Sequence, residues 1–310
     1  MPNPMLASQW PRFLLPLIRQ EWLAGMGTAP ASPAMQFFNI QSSTHSVEYA
    51  QGVGDLGLVP EYNSALAEHE ANAIQYDSFD PLYESTFTHK EYAKGIAIER
   101  KLWDDDQQGN IRRRATSLGD TFGVTRSSFA SSVFNNAFSA SYVGGDAVAL
   151  ASDSHPVNKT SSSTYDNKGT SALSYASIVS TLKAGHAMKN DRLLPRPIMY
   201  DTLYIPIGLQ DTAFEEIRSL LKPGTADNNA NFLGSKGLQI VIDPYLTDTN
   251  NWFMLDSALA KQHLIWFNRV LPEITIDPAS DFNLVAKYRG YMRFSFGWDD
   301  ARFIYGHEVA

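Results

Sequence analysis

Cysteine is missing altogether from these 310 residues. Its absence removes disulfides, thiolate metal sites and cysteine nucleophiles together, and leaves packing, pairing and association with other subunits as the means of stabilisation. Long apolar runs are lacking as well. The N-terminal stretch Phe13-Leu14-Leu15-Pro16-Leu17-Ile18 is interrupted by Pro16 and falls far short of the roughly 18–20 apolar residues of a membrane span. It reads as a short interfacial segment; a cleaved signal would want a more basic start and a small-residue cleavage site. The expectation is a chain that is soluble and cytoplasmic at synthesis, with no membrane partner.

An excess of positive charge is missing too. Lys and Arg number 25 against 33 Asp and Glu, a net charge of −8, which disfavours a wholly basic nucleic-acid binder. A local basic patch stays open, because net charge says nothing about where charges sit. Charged residues make up 19% and hydrophobic residues 44%, the composition of a globular protein with enough length for one large domain or two smaller ones.

Catalytic signatures are equally scarce. None of His45, His69, His89, His155, His186, His263 and His307 pairs with another at the spacing of a metal-binding helix. There is no His-Glu-x-x-His, no Gly-x-Ser-x-Gly elbow, no phosphate-cradling loop and no Rossmann glycine fingerprint. Asp153-Ser154-His155 sets three triad residue types side by side. Triads are assembled in space, however, and a hydrogen-bonded turn in a Ser-rich loop ending at Pro156 is the better reading. Asp104-Asp105-Asp106 has the chemistry of a divalent-cation ligand, but an acidic run opening a helix is favoured. No catalytic residue, cofactor or metal is assigned, and the chain is expected not to be an enzyme.

What is present begins with proline. Pro2, Pro4, Pro11, Pro16, Pro30 and Pro33 punctuate residues 1–45 and predict an extended arm. Its large apolar side chains, Trp10, Phe13, Leu14, Trp22, Phe37 and Phe38, need burial in the chain's own core or against a neighbour. From 71 to 103, Ile74, Tyr76, Phe79, Tyr83, Phe87, Tyr92, Ile96 and Ile98 are spaced by Thr and Ser around a turn at 77–81. That pattern predicts a long β-hairpin or extended loop bound to a partner.

A long helix follows the acidic run. Leu118, Phe122, Phe129, Val133 and Ala137 draw one stripe, widened by Phe134 and Phe138. Gly119 and Gly123 signal a bend or a close backbone approach, and Gly144-Gly145 is expected to end the helix between 139 and 144. Arg112-Arg113-Arg114 is the one compact basic cluster; phosphate, an acidic neighbour and plain solvent are all open as its partner. Beyond it the pattern predicts an exposed loop over 151–170 and a helix over 171–190 capped by Thr170. Strand pieces at 198–200 and 203–205 lead through Pro206 into a helix ending at Leu221. A buried strand at 238–242, a strand at 252–255 and a terminal hairpin of residues 288–296 and 302–305 complete the reading.

Several separated stretches together resemble the major capsid proteins of tailed bacteriophages. They are Val133-Phe134-Asn135-Asn136-Ala137-Phe138, Gly144-Gly145-Asp146 with His155-Pro156, Leu193-Leu194-Pro195, Val241-Ile242-Asp243-Pro244-Tyr245-Leu246-Thr247-Asp248, Asn251-Trp252-Phe253, and the span from Arg293 to Tyr305. They cover roughly residues 75–310 and are most similar to the Mu-like major head subunits. The resemblance implies an α+β fold of the Hong Kong 97 type. The arm would be 1–45, the E-loop with its flanking strands 46–103, and the spine helix and following loop of the peripheral domain 104–164. Residues 165–270 would form the axial domain and 271–310 a peripheral return hairpin.

It also implies a shell subunit assembling through pentamers and hexamers into an icosahedral head in the host cytoplasm; an encapsulin-like compartment is the alternative. Partners would be identical subunits, a separate scaffolding protein, a portal, cement proteins and DNA held by non-specific interior contact. The candidate subunit interface is Trp10, Phe13, Tyr76, Phe79, Tyr83, Phe87, Tyr92, Arg112, Arg113 and Arg114.

Overall fold

The computed structural model describes residues 10–59, 76, 81–106, 109–221, 229–277 and 285–310. Helix α1 (Trp10–Thr28) and a 3-10 turn lead into strands β1 (Asn39–Ser42), β2 (Val47–Val53), β3 (Pro81–Thr88) and β4 (Lys90–Glu99). Helices α2 (Arg100–Asp104) and α3 (Asn110–Asn135) come next, then the short strands β5 (His155–Pro156), β6 (Thr164–Tyr165) and β7 (Lys168–Gly169). Helix α4 (Tyr175–His186), β8 (Thr202–Ile205), α5 (Gln210–Arg218), α6 (Phe232–Lys236), β9 (Gln239–Ile242), β10 (Trp252–Leu255) and α7 (Ser257–His263) follow. The chain closes with β11 (Leu264–Ile276), β12 (Val285–Trp298) and β13 (Ile304–His307).

The first element corrects the sequence reading, since the proline-rich segment is helical where an extended arm was expected. Pro16 sits inside α1 and removes a backbone hydrogen bond, and packing compensates. Leu14, Ile18 and Trp22, four residues apart on one face, are buried in the same core cluster as the α3 stripe. Trp22 meets Phe122 edge-on at 5.8 Å. The helices touch through glycine: a Cβ on Gly119 would collide with the Trp22 carbonyl oxygen, and one on Gly25 with that of Thr116. Close approach, not a bend, is therefore what Gly119 provides.

Helix α3 runs unbroken for 26 residues, about 39 Å at 1.5 Å per residue. The Asp106 carboxylate accepts hydrogen bonds from the Asn110 and Ile111 amides at 3.0 Å each, so the acidic run does open a helix. The helix stops at Asn135, before the glycine pair. Asn136 Nδ2 donates to the Ser132 carbonyl at 2.7 Å, and Asn135 Nδ2 donates to that of Tyr245, satisfying groups at the helix end. Phe138 therefore lies in the turn beyond the rod. Gly145 instead lets the backbone pass Glu84, whose carbonyl oxygen a Cβ would approach to 2.5 Å.

Two sheets organise the rest. The first has the order β1-β11-β12-β4 and the second β7-β13-β10-β8-β9. Trp266 stacks on Phe294 at 4.6 Å and on Phe296 at 5.2 Å on the first sheet, and Phe129 of α3 lies edge-on to Phe294. A second core, with Trp252, Met254, Leu203, Ile178 and Ile217, sits between the second sheet and α4 and α5.

The expected terminal hairpin does not form: β12 pairs with β11 and β4, whereas β13 crosses to pair with β10 and β7. Ala301, Phe303 and Ile304 are buried along that crossing, so apolar burial outweighs the local turn signal. The expected local hairpin over 71–103 is likewise replaced, with β3 pairing back to β2 and β4 joining β12.

Smaller differences share one cause, tertiary anchoring of polar segments. Residues 151–170 are not simply an exposed loop. Asn167 is buried, donates to the Leu150 and Ala301 carbonyls and accepts from the Ser152 amide. Helix α4 is shorter than expected and capped by Ser174 in a capping box, not by Thr170. Residues 198–200 are not a strand, α5 begins after a 3-10 turn at Ile207–Leu209, and β9 is a half-buried edge strand.

Candidate subunit interface

The antiparallel pair β2–β3 is a two-stranded ribbon that belongs to neither main sheet. Its alternating side chains leave one face half covered and the other bare. In the segment beyond its far end, Leu58 is 78% exposed, Val59 95% and Tyr76 92%. Exposed large apolar side chains are the raw material of a contact surface. Near that same end the ribbon is held to its own chain: Tyr83 Oη donates to the Asn158 carbonyl, and Asp55, just beyond β2, pairs with Arg196.

The predicted interface residues separate into three groups. Tyr76 is bare, and Arg112, Arg113 and Arg114 are exposed on α3. Tyr83 and Tyr92 are half-buried, and Tyr92 stacks on Phe294 at 4.7 Å. Phe87 is a correction, for it is buried in its own chain, edge-on to Phe267 at 5.3 Å and in a small cluster with Ile265. Its alternation with exposed neighbours places it on the inner face of β3, over the first sheet. Trp10 and Phe13 fall in the first turn of α1 with side chains outside the described residues, and Phe79 also lies outside them.

Sequence reasoning missed Leu58 and Val59, and it missed half of the ribbon. The alternation Val47, Tyr49, Gln51, Val53 was the available signal for β2. It also missed exposed Ile207, Phe214 and Leu220 around α5, which carry no periodicity that separates them from core.

Polar groups inside the fold are structural in their geometry. Asp243 is fully buried and takes hydrogen bonds from Ser32 Oγ (2.7 Å), Ser131 Oγ (2.6 Å) and Tyr204 Oη. It ties the segment after α1 to α3 and to the second sheet. Burial and the adjacent Asp243 carboxylate push the Tyr204 phenol well up.

Ser154 is exposed and bonded to Ser152, while its neighbour His155 turns inward, donates from Nδ1 to Asp146 at 2.7 Å and stacks on Tyr165. Serine and histidine thus point apart. Nearby, Arg302 pairs with Asp300 at 2.8 Å and lies over the Tyr165 ring at 4.6 Å. Burial alone would raise the Asp300 carboxyl, but Arg302 and His263 outweigh it and hold it below its ordinary value. Burial likewise works against a charged His263, and the Asp299 hydrogen bond and charge overcome it, so its pKa is raised. Among the described residues no three His, Asp or Glu side chains are grouped to hold a metal, and no helix is long and apolar enough to cross a membrane.

A family model described as phage capsid protein matches residues 83–306, a span that includes α3, most of β3 and both sheets apart from β1 and the last residue of β13. The chain belongs to the phage capsid protein family. Solved structures agree on its architecture. The capsid of the cyanophage P-SCSP1u is 11% identical with a TM-score of 0.59, over 91% of this chain and 89% of that one. The capsid of a native GTA particle is 14% identical with a TM-score of 0.57, over 91% and 92%. The capsid of bacteriophage JBD30 decorated with minor capsid protein trimers is 14% identical with a TM-score of 0.54, over 71% and 92%. No curated protein matches the chain by sequence. The fold is of the Hong Kong 97 type, and the chain is a structural major capsid protein of the virion, built to assemble with copies of itself.

Proposed function

We propose that this capsid protein builds pentamers and hexamers that close into an icosahedral head around double-stranded DNA. The carrying observation is the β2–β3 ribbon, with Leu58, Val59 and Tyr76 left bare at its end. In this reading the ribbon is the E-loop, lying across a neighbour, and α1 and the segment after it are the arm. Helix α3 with the first sheet is the peripheral domain, and the second sheet with α4 and α5 is the axial domain. The C-terminal strand β13 then belongs with the axial sheet, so the peripheral return is β12 alone.

Heterologous contacts repeated around a ring close it, and many modest contacts made at once give the shell its durability. Catalysis has no part in this role. Scaffolding would come from a separate protein, a portal would occupy one vertex, cement proteins would bind outside, and DNA would be touched without sequence preference inside. Assembly would take place in the host cytoplasm. The family match favours a head over a cargo compartment; purified particles holding an enzyme in place of DNA would reverse that preference.

Electron microscopy with light scattering tests the proposal directly. Closed shells of uniform size are expected. A strictly monomeric species at every salt and protein concentration, alone or with scaffold, would overturn it.

A further inference from the structure

Positive charge is segregated onto one helix of an otherwise acidic chain. Helix α3 carries Arg112, Arg113, Arg114 and Arg126 against Asp120 alone, while the whole chain stands at −8. Arg126 is covered, lying over the Trp266 ring at 5.8 Å. The other three are exposed, and they do not share one face.

A groove of about 460 Å³ runs between β4, the edge strand of the first sheet, and the first half of α3. Its helix wall is Asn110, Arg113, Arg114, Ser117 and Thr121, and Lys94 faces them from β4. Steps of three and four residues make that wall a single stripe, about 17 Å long from Asn110 to Thr121 at the rise of a helix. Arg112 is not part of it.

Among the described residues no acidic side chain lines this groove, and none of Lys94, Arg113 and Arg114 forms an ion pair. Asn110 and Ser117 add neutral donors. The larger cleft beside β3, about 660 Å³, differs in holding both Glu84 and Lys90. We propose that the Lys94–Arg113–Arg114 track seats the phosphate backbone of packaged duplex DNA, so that β4 and the first half of α3 face the inside of the shell.

The shape of the track favours a repeating polyanion over an acidic peptide. Leu118 is buried and Ile96 half-buried in the chain's own packing, so the floor is already closed and offers an incoming side chain no socket. What remains is a row of long, mobile cations, which suits an anion repeated at even intervals. About five phosphates of one strand fit along it at 3.4 Å of axis each. Contacts of this kind position a duplex without reading its bases. Subunits at −8 would otherwise repel DNA, and the track supplies a place where they do not. The inference rests on the shell reading and deepens its DNA contact by naming the face and the residues that make it.

Binding of short duplexes of two unrelated sequences to disassembled subunits, followed by fluorescence anisotropy over a range of salt, tests it. The parent should bind both alike and lose affinity steeply with salt. Arg113→Gln with Arg114→Gln should make the slope of log affinity against log salt shallower by about 1.8, two contacts at about 0.9 each. Lys101→Gln with Arg112→Gln removes the same charge from exposed positions outside the lining, and should change the slope by less than half as much. In particles, acylation of Lys94 relative to Lys101, read by mass spectrometry, should be several-fold slower with DNA inside than after its release.

Equal changes of slope in the two double variants would assign the effect to net charge and overturn the proposal. So would equal acylation of filled and emptied particles, or a parent that forms shells and does not bind duplex. Unchanged duplex binding with a raised threshold for shell formation would give the groove to an acidic segment of a neighbouring subunit, which also overturns it. Circular dichroism checks the fold. Should the Arg113 and Arg114 variant not fold, Lys94→Gln alone should reduce the slope by about 0.9, and an unchanged slope would refute the contact. A parent that binds duplex yet never forms shells would sink the shell reading and leave the phosphate track standing.

Discussion

The core around α1 and α3 and the β2–β3 ribbon are made from the same kinds of side chain and treat them in opposite ways. Around α3, Trp22, Phe122, Trp266 and Phe294 are packed from several elements at once. In the ribbon, backbone pairing sets a register that shifts between Gln51 and Val53, and in the segment beyond its end Leu58, Val59 and Tyr76 are exposed. A two-stranded ribbon alone is marginal in water. One region is completed by its own chain, and the other leaves apolar surface that, in the proposed shell, a second chain would cover. Phe87 marks the boundary, being the ribbon residue whose burial is settled at home.

Substitutions in the two regions should therefore separate subunit stability from assembly. The largest effect is expected for Trp22→Ala, a loss of about 3–5 kcal/mol in chemical denaturation of the disassembled subunit. A loss under 1 kcal/mol would mean that α1 is not part of the core.

The next effect comes with pH. His307 stacks on Trp252 at 3.9 Å and is held neutral by burial, its pKa lowered to about 4 from 6.5. A depressed histidine adds no penalty above pH 6.5 and costs stability as pH falls towards 4, in total about 3 kcal/mol. His307→Gln should flatten the acid limb of the stability curve, read from melting temperatures between pH 7 and pH 4. An unchanged limb would place the sensitivity elsewhere.

Gly119→Ala sharpens the comparison further, because alanine ordinarily gains about 1 kcal/mol over glycine in a helix. Here its Cβ meets the Trp22 carbonyl, so a loss of about 1–3 kcal/mol is expected. A stabilised variant would show that α1 and α3 do not approach as described. Smallest of all, Val59→Ser and Tyr76→Ser should change subunit stability by less than about 0.5 kcal/mol, while raising the concentration at which shells appear in sedimentation. Assembly at the parental concentration would break the distinction between the two regions.

Reading the chain in advance succeeded where the pattern is local. The stripe from Leu118 to Val133, the acidic opening at Asp106 and the strand at Trp252–Leu255 are written in short-range spacing. It failed where partners are distant. The strand facing β3 lies some thirty residues upstream, beyond a local hairpin window. The strand after Asp300 looked like the return of a turn, and it departs for another sheet because Phe303 and Ile304 find cover there. Pro16 looked like a helix breaker, and only the surface of α3 outweighs its penalty. For the interface, Tyr76 and the arginines could be named in advance as unmatched chemistry. Which of them face a groove could not, since Arg113 and Arg114 differ from Arg112 only in helical phase against β4.

By itself the amino-acid order determined the rod, the glycine contacts available to it, the charge segregation and the absence of thiol and motif-borne catalytic chemistry. Those properties depend on composition and on spacing within a few turns of chain. The tertiary structure alone decided which apolar side chains would be covered at home and which left exposed. Burial is a property of surfaces brought together across hundreds of residues, and the pattern of one segment does not specify what will lie against it.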